Sequence, residues 1–267
     1  MGTTAPKPVG PPDPLRGGPL CSERPVRIPR LSYEATLAVL GSVLAIETVW
    51  LGIAPVSRST WLLENLLVVL LVGGLAATYR RFRLSRISYT LIFLFLLLHE
   101  VGAHYTYSLV PYDEAFERLF GVSLNQKLGF QRNHFDRLIH FAYGLLFAYP
   151  IREVFLRVVD VRGFWGYALP LDVTMSTSMI YELIEWAAAM IFGGDLGQSY
   201  LGTQGDVWDA HWDMALASLG AIVAMGFTLG VNLLLQRDFA AEWADSLRVK
   251  HPEPLGEERL AAMLDEG

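Results

Sequence analysis

Ile87-Ser88-Tyr89-Thr90-Leu91-Ile92-Phe93-Leu94-Phe95-Leu96-Leu97-Leu98-His99-Glu100-Val101-Gly102-Ala103-His104-Tyr105-Thr106-Tyr107-Ser108-Leu109-Val110 is apolar over most of its length, and Pro111 ends it. A helix of about 20 such residues is long enough to cross the hydrocarbon core of a bilayer. The ionisable residues within it are not scattered: His99, Glu100 and His104 all fall in its second half. Such groups in a membrane helix are costly unless paired, metal-bound or wetted. The stretch therefore reads as a spanning helix that carries chemistry near one end.

The same pattern repeats on either side. Apolar runs occupy residues 31–53, 61–79, 87–110, 136–155, 164–192 and 207–235, which predicts an all-α polytopic membrane protein, a bundle of about six transmembrane helices. Bulk composition agrees: 52% of the 267 residues are hydrophobic, 18% are charged, and the mean hydropathy is +0.34. A net charge of −6 gives no reason to expect nucleic acid as a partner. Residues 1–30, rich in Pro, Gly and Arg, read as a disordered tail, and 237–267 as a charged C-terminal tail. The single cysteine, Cys21, lies in the first tail without an apolar stretch before it, so neither a lipobox nor a disulfide framework is expected. Between the third and fourth runs, Tyr112–Phe120 reads as a short amphipathic helix followed by loop.

Arginine distribution orients the runs. Arg24, Arg27 and Arg30, the cluster from Arg80 to Arg86, and Arg152, Arg157 and Arg162 flank alternate turns, whereas 193–206 holds acids and neither Lys nor Arg. The positive-inside rule puts both termini and the basic loops in the cytoplasm. With that orientation four runs bring their ionisable residues to the outer third of the membrane. They are His99, Glu100 and His104; Asp136 and His140; Glu182 and Glu185; and Asp206, Asp209 and Asp213. Glu100/His104, Asp136/His140 and Asp209/Asp213 are four apart and Glu182/Glu185 three apart, so each pair shares a helix face.

Helices that send carboxylates and imidazoles to a common interior are how bundles build metal sites. The expected ligands are His104, His140, Glu182, Asp209 and Asp213, around a divalent metal such as Zn, Mn, Fe or Mg. Glu185 is the expected catalytic base. Glu100, Asp136, His99 and Asp206 form a supporting set, in which Asp136 suits a helix N-cap and Asp206 a cap on the sixth helix. His211 points away from Asp213 on a helix and is expected at the interface, with Trp61, Trp186, Trp208 and Trp212 in an aromatic belt. Glu47 and Glu64 are isolated acids with no partner evident along their helices. The Gly202–Gly205 run is expected over the site.

Gly102-Ala103-His104-Tyr105-Thr106-Tyr107, Asp136-Arg137-Leu138-Ile139-His140-Phe141, Tyr181-Glu182-Leu183-Ile184-Glu185-Trp186, and Gly202-Thr203-Gln204-Gly205-Asp206-Val207-Trp208-Asp209 with Asp213-Met214 occur in this order. Together they resemble the YjdF family of bacterial inner-membrane proteins over residues 35–236. The resemblance implies a helical inner-membrane protein and names no reaction. A weaker likeness, in an Asp-x-x-x-His that opens one span and a later acidic span, is to VanZ-like membrane proteins.

Two chemical classes and one bland one fit the pattern. A metal-dependent hydrolase or transferase acting on a lipid or envelope substrate uses the cluster to activate water. A cation or proton-coupled transporter needs the polar residues to continue through the cytoplasmic half, where Asp172, Thr174, Ser176, Thr177 and Ser178 are the polar residues available on the fifth run. A scaffold uses the cluster only to fix helix packing, but about eight ionisable groups exceed what packing requires.

Overall fold

The computed structural model describes residues 31–194, 197, 202–250 and 256–265, so the tail expected over 1–30, with Cys21, lies outside the described residues. The chain divides into Met1–Ser32 and Tyr33–Gly267, and the regular elements among the described residues of the second unit are all helices, joined by turns and short loops. Its elements are α1 (Tyr33–Gly52), α2 (Arg58–Thr78), α3 (Arg86–His104), α4 (Tyr112–Phe120), α5 (Leu124–Leu128), α6 (Phe135–Val154), α7 (Trp165–Phe192), α8 (Asp209–Leu235), α9 (Phe239–Ser246) and α10 (Glu257–Asp265). Four of these, α1, α2, α3 and α8, are long and apolar enough to cross a membrane. α6 and α7 have the length but interrupt their apolar residues with charges.

Side-chain exposure follows the same logic. α1 buries none of its residues, and Ile46, Val69, Leu183, Ile191 and Phe227 project large apolar side chains outward from α1, α2, α7 and α8. Helices apolar on both their inner and outer faces belong in lipid. Trp186, Trp208 and Trp212 are likewise exposed, as expected of a belt.

α6 and α8 share the most intimate interface. A Cβ on Gly144 would run into the Ala217 carbonyl, and one on Gly220 into the Phe141 carbonyl. Small residues let two backbones approach this closely, which in lipid replaces the missing hydrophobic drive between helices. Asp136, His140, Gly144 and Ala148 follow one another at four-residue intervals on α6, as Asp209, Asp213, Ala217 and Ala221 do on α8. Each helix therefore carries one ridge, acidic or imidazole at the start and small further along. Ala148 packs with Ala221, Ala224 and Met225, so the two ridges run in parallel, and α7 returns the chain between them.

Helix ends depart from the sequence reading in places. α3 stops at His104, short of Val110, because Thr106 and Tyr107 both adopt left-handed backbone angles, φ 52° and 54°. The Tyr107 amide then bonds the Gly102 carbonyl at 2.8 Å, and its ring folds back over Gly102, where any Cβ would collide with it. Two strained residues in sequence hold one aromatic ring in place. α4 covers the predicted residues, but α5 adds a further turn capped by Ser123 where a loop was expected. The C-terminal segment is not simply a charged tail. Phe239 and Trp243 of α9 pack on Tyr167, and the Gly163 amide donates to Glu242 Oε1 at 3.0 Å.

Candidate metal centre

The ridges place Asp136, His140 and Asp213 together: one potential ligand atom from each lies within 4.8 Å of the others. His140 Nε2 is 3.8 Å from Asp136 Oδ1 and 3.5 Å from Glu182 Oε1 of α7. Asp213 is 2% exposed, and neither its Oδ1 nor Glu182 Oε1 has a hydrogen-bond partner among the described residues. The Gly144–Ala217 contact lies one turn along from His140 and Asp213, so the closest approach of the two backbones fixes the span between these side chains.

Two arginines stand beside this group. Arg132, in the loop before α6, donates from Nη2 to Asp209 Oδ1 at 2.6 Å and from Nη1 to the Thr203 carbonyl at 2.8 Å. Arg137 Nη2 donates to Asp206 Oδ2 at 2.5 Å and lies 3.7 Å from Asp209 Oδ1. The guanidiniums thus match Asp206 and Asp209. Among the described residues, Asp136, Asp213 and Glu182 face one imidazole and make no ion pair with a guanidinium. Buried carboxylates so arranged need a cation or protons.

The loop preceding α8 is strapped over the site. Gln204 accepts from the Asn133 amide and donates to the Asn133 carbonyl, both at 3.0 Å. At Gly202, a left-handed position with φ 61°, a Cβ would lie 3.5 Å from Asp136 Oδ2. Asp206 Oδ1 accepts from the Trp208 amide at 2.9 Å. That amide, and then the Arg137 guanidinium, hold the Asp206 carboxyl below the ordinary carboxylate range. Burial, reinforced by Arg137 and Arg132, lowers His134 below the usual imidazole value.

A second polar group lies beside the first. Glu64 of α2 is 1% exposed and accepts from the hydroxyls of Tyr107 at 3.4 Å and Tyr181 at 3.3 Å. The Tyr107 hydroxyl is also 2.7 Å from His99 Nδ1. The strained turn after α3 therefore delivers Tyr107 to a bridge between α2 and α3. A third group joins α1 and α3: Thr48 donates to the fully buried Glu100 at 3.0 Å, and His104 Nδ1–H donates to the Leu51 carbonyl at 2.7 Å.

Of the residues expected as ligands, His140, Glu182 and Asp213 converge, and Asp136 joins them from the supporting set. Asp136 sits inside the first turn of α6 rather than capping it; the Phe135 amide is met instead by Asn133 Oδ1 at 2.9 Å. Asp209 reaches the group's edge with one oxygen committed to Arg132. His104 and Glu100 share a face, as their spacing required, but that face meets α1. Glu185, half-buried, lies one turn beyond Glu182 on α7. His211 is exposed against Trp208. Arg132, Tyr107 and Tyr181 were missed, and Glu64 was noted as an isolated acid without its partners. The signal for Arg132 was the unbalanced acidity of 206–213.

A family model described as "Predicted membrane protein (DUF2238)" matches residues 36–232. The chain is 40% identical over 185 residues to the inner membrane protein YjdF of Escherichia coli (strain K12), across 69% of this chain and 84% of that protein. No solved structure matches it.

Proposed function

Because the chain belongs to the DUF2238 family of membrane proteins, to which the resemblance to YjdF also points, we propose that it is a six-span bacterial inner-membrane protein that hydrolyses a phosphoester of a lipid with a divalent metal. The observation that carries the reading is the charge imbalance: Arg132 and Arg137 match Asp206 and Asp209, while Asp136, Asp213 and Glu182 converge on His140 alone. A divalent cation is the economical complement to two or three buried carboxylates and one imidazole.

In this assignment Asp136, His140 and Asp213 would hold the ion, and the ion would supply Lewis-acid activation of an attacking water. Glu182, rather than Glu185, accepts the proton, since its unpartnered Oε1 lies beside the ligand imidazole. The water oxygen bonds to phosphorus, the phosphorus–oxygen bond to the leaving alcohol breaks, and Glu182 returns the proton to that alkoxide. α6 and α7 complete the six spans, exposing apolar residues outward while Asp136, His140 and Glu182 turn inward; Asp172 of α7 is exposed. Orientation by the arginine rule puts the site at the outer side.

A transport path is the weaker reading, because packing further along the same helices turns apolar at Ala148, Ala221, Ala224 and Met225. The test uses purified protein in proteoliposomes with a panel of phosphate-bearing lipids. The reading expects product release that stops with chelator and returns with one added divalent metal. Glu182→Gln is expected to abolish turnover while metal stays bound. Turnover undiminished by chelation, or an active Glu182→Gln, overturns it.

A further inference from the structure

A cavity of about 230 Å³ opens from the same carboxylate and imidazole. Asp136 and His140 form one end of its wall. Leu67, Leu71, Phe95, Ile139 and Phe147 form an apolar sleeve within it, interrupted by polar groups such as His99, Tyr143 and Thr177. Phe147 is seven residues beyond His140 on α6, so the sleeve reaches about 10 Å along the helix from the site.

Two polar side chains in that wall carry an unpartnered atom among the described residues, His99 at Nε2 and Ser178 at Oγ, and the Nδ1 of His99 is already engaged by Tyr107. Ser178 is 2% exposed and lines the cavity, yet its Oγ has no hydrogen-bond partner among the described residues. Hydroxyls elsewhere on the long helices behave differently. Those of Thr78, Thr90, Thr174, Ser218 and Thr228 each return to the carbonyl one turn back, at 2.7–2.8 Å. A buried hydroxyl without an acceptor is destabilising, so its position in a ligand-sized cavity points to an acceptor supplied from outside the chain. Ser178 precedes Glu182 by one turn, which sets it about 6 Å further along the sleeve than the site.

We propose that the cavity binds one acyl chain of a glycerophospholipid, with its phosphate at the Asp136–His140–Asp213 group, its ester carbonyl accepting from Ser178, and the first carbons of the chain in the sleeve. The identification of the phosphate end rests on the proposed function; the acyl end rests on the sleeve and Ser178. At about 30 Å³ for each water-sized group, 230 Å³ admits about eight such groups, so the remainder of a full chain leaves between helices into the bilayer. An isoprenoid chain fills the sleeve equally well but offers no carbonyl to Ser178.

The test is photolabelling of the purified protein in detergent with a phosphatidylethanolamine that bears a diazirine within the first eight carbons of one acyl chain. Labelled positions are mapped by peptide mass spectrometry. The expected result is label on Phe95, Ile139 or Phe147. A dipalmitoyl competitor should suppress it at least tenfold better than an isoprenyl phosphate. Ser178→Ala is expected to weaken competition about five- to tenfold with labelling geometry retained, and Leu71→Trp, which fills the sleeve, to remove the label. Label confined to outward residues such as Ile46 or Phe227, or equal competition by the isoprenyl phosphate, overturns the proposal. Chelated protein and Asp213→Asn keep the distinction from the metal reading: interior label without metal binding sustains the acyl site and sinks the hydrolase, and metal binding without interior label does the reverse.

Discussion

Removing Arg132 separates two readings of Asp209, that of a metal ligand and that of a structural ion-pair partner. The Arg132 and Asp209 side chains are 13% and 4% exposed and meet at 2.6 Å. Breaking a buried pair by deleting one member costs about 3–5 kcal/mol, mostly as the penalty on the stranded charge. Arg137 stands 3.7 Å from the same Asp209 oxygen and takes up part of that charge, so the lower end applies, about 3 kcal/mol for Arg132→Ala. Asp209→Asn leaves Arg132 facing Asp206 at 3.6 Å and should cost less, about 2 kcal/mol for a lost charged hydrogen bond. If the two residues stabilise the fold chiefly through each other, the double variant falls short of the sum by about 2 kcal/mol. The assay is reversible unfolding in mixed micelles by dodecyl sulfate titration, run on wild type, both singles and the double. Additivity to within about 0.5 kcal/mol, or a neutral Arg132→Ala, refutes the reasoning.

Gly144→Ala should destabilise by about 2–3 kcal/mol through overpacking, because the added methyl meets the Ala217 carbonyl and backbone cannot yield as a side chain does; the same titration reads it, and retained metal affinity would show that helix separation does not matter to the site. Asp206 gives the loop an acid limb. Its folded pKa is depressed by the Trp208 amide and then Arg137, so its contribution is complete above its unfolded value of about 4 and is lost as pH falls through the lower folded value. The hydrogen-exchange protection factor of the Asn133 amide, which bonds Gln204, should fall below about pH 4 in wild type and show a smaller pH dependence in Asp206→Asn.

Much of this architecture is written in the apolar runs, because spanning length and backbone self-satisfaction leave a helix little freedom in lipid. The ends are harder to read. Nothing in Tyr105-Thr106-Tyr107-Ser108-Leu109-Val110 announces a left-handed pair, since Thr and Tyr disfavour that backbone and adopt it here only under the packing of Tyr107 on Gly102. Spacing showed which residues share a face but not which neighbour the face meets. Glu100 and His104 illustrate the gap: their shared face meets Thr48 and Leu51 of α1, while Asp136 and His140, equally spaced, meet α8. The deciding feature for the second pair was Gly144, a turn further along, whose approach to Ala217 no periodicity reveals. Arg132 was obscured by its loop position, so its ion pair with Asp209 was not legible in the sequence.

The most direct test of the central claim is metal content of the purified protein by mass spectrometry, for wild type beside Asp213→Asn, His140→Ala and Asp209→Asn. The account predicts a divalent metal near stoichiometry in wild type and Asp209→Asn, with loss of at least tenfold in affinity for Asp213→Asn and His140→Ala. Wild type at background after metal supplementation, or Asp213→Asn and His140→Ala retaining metal as wild type does, would contradict it.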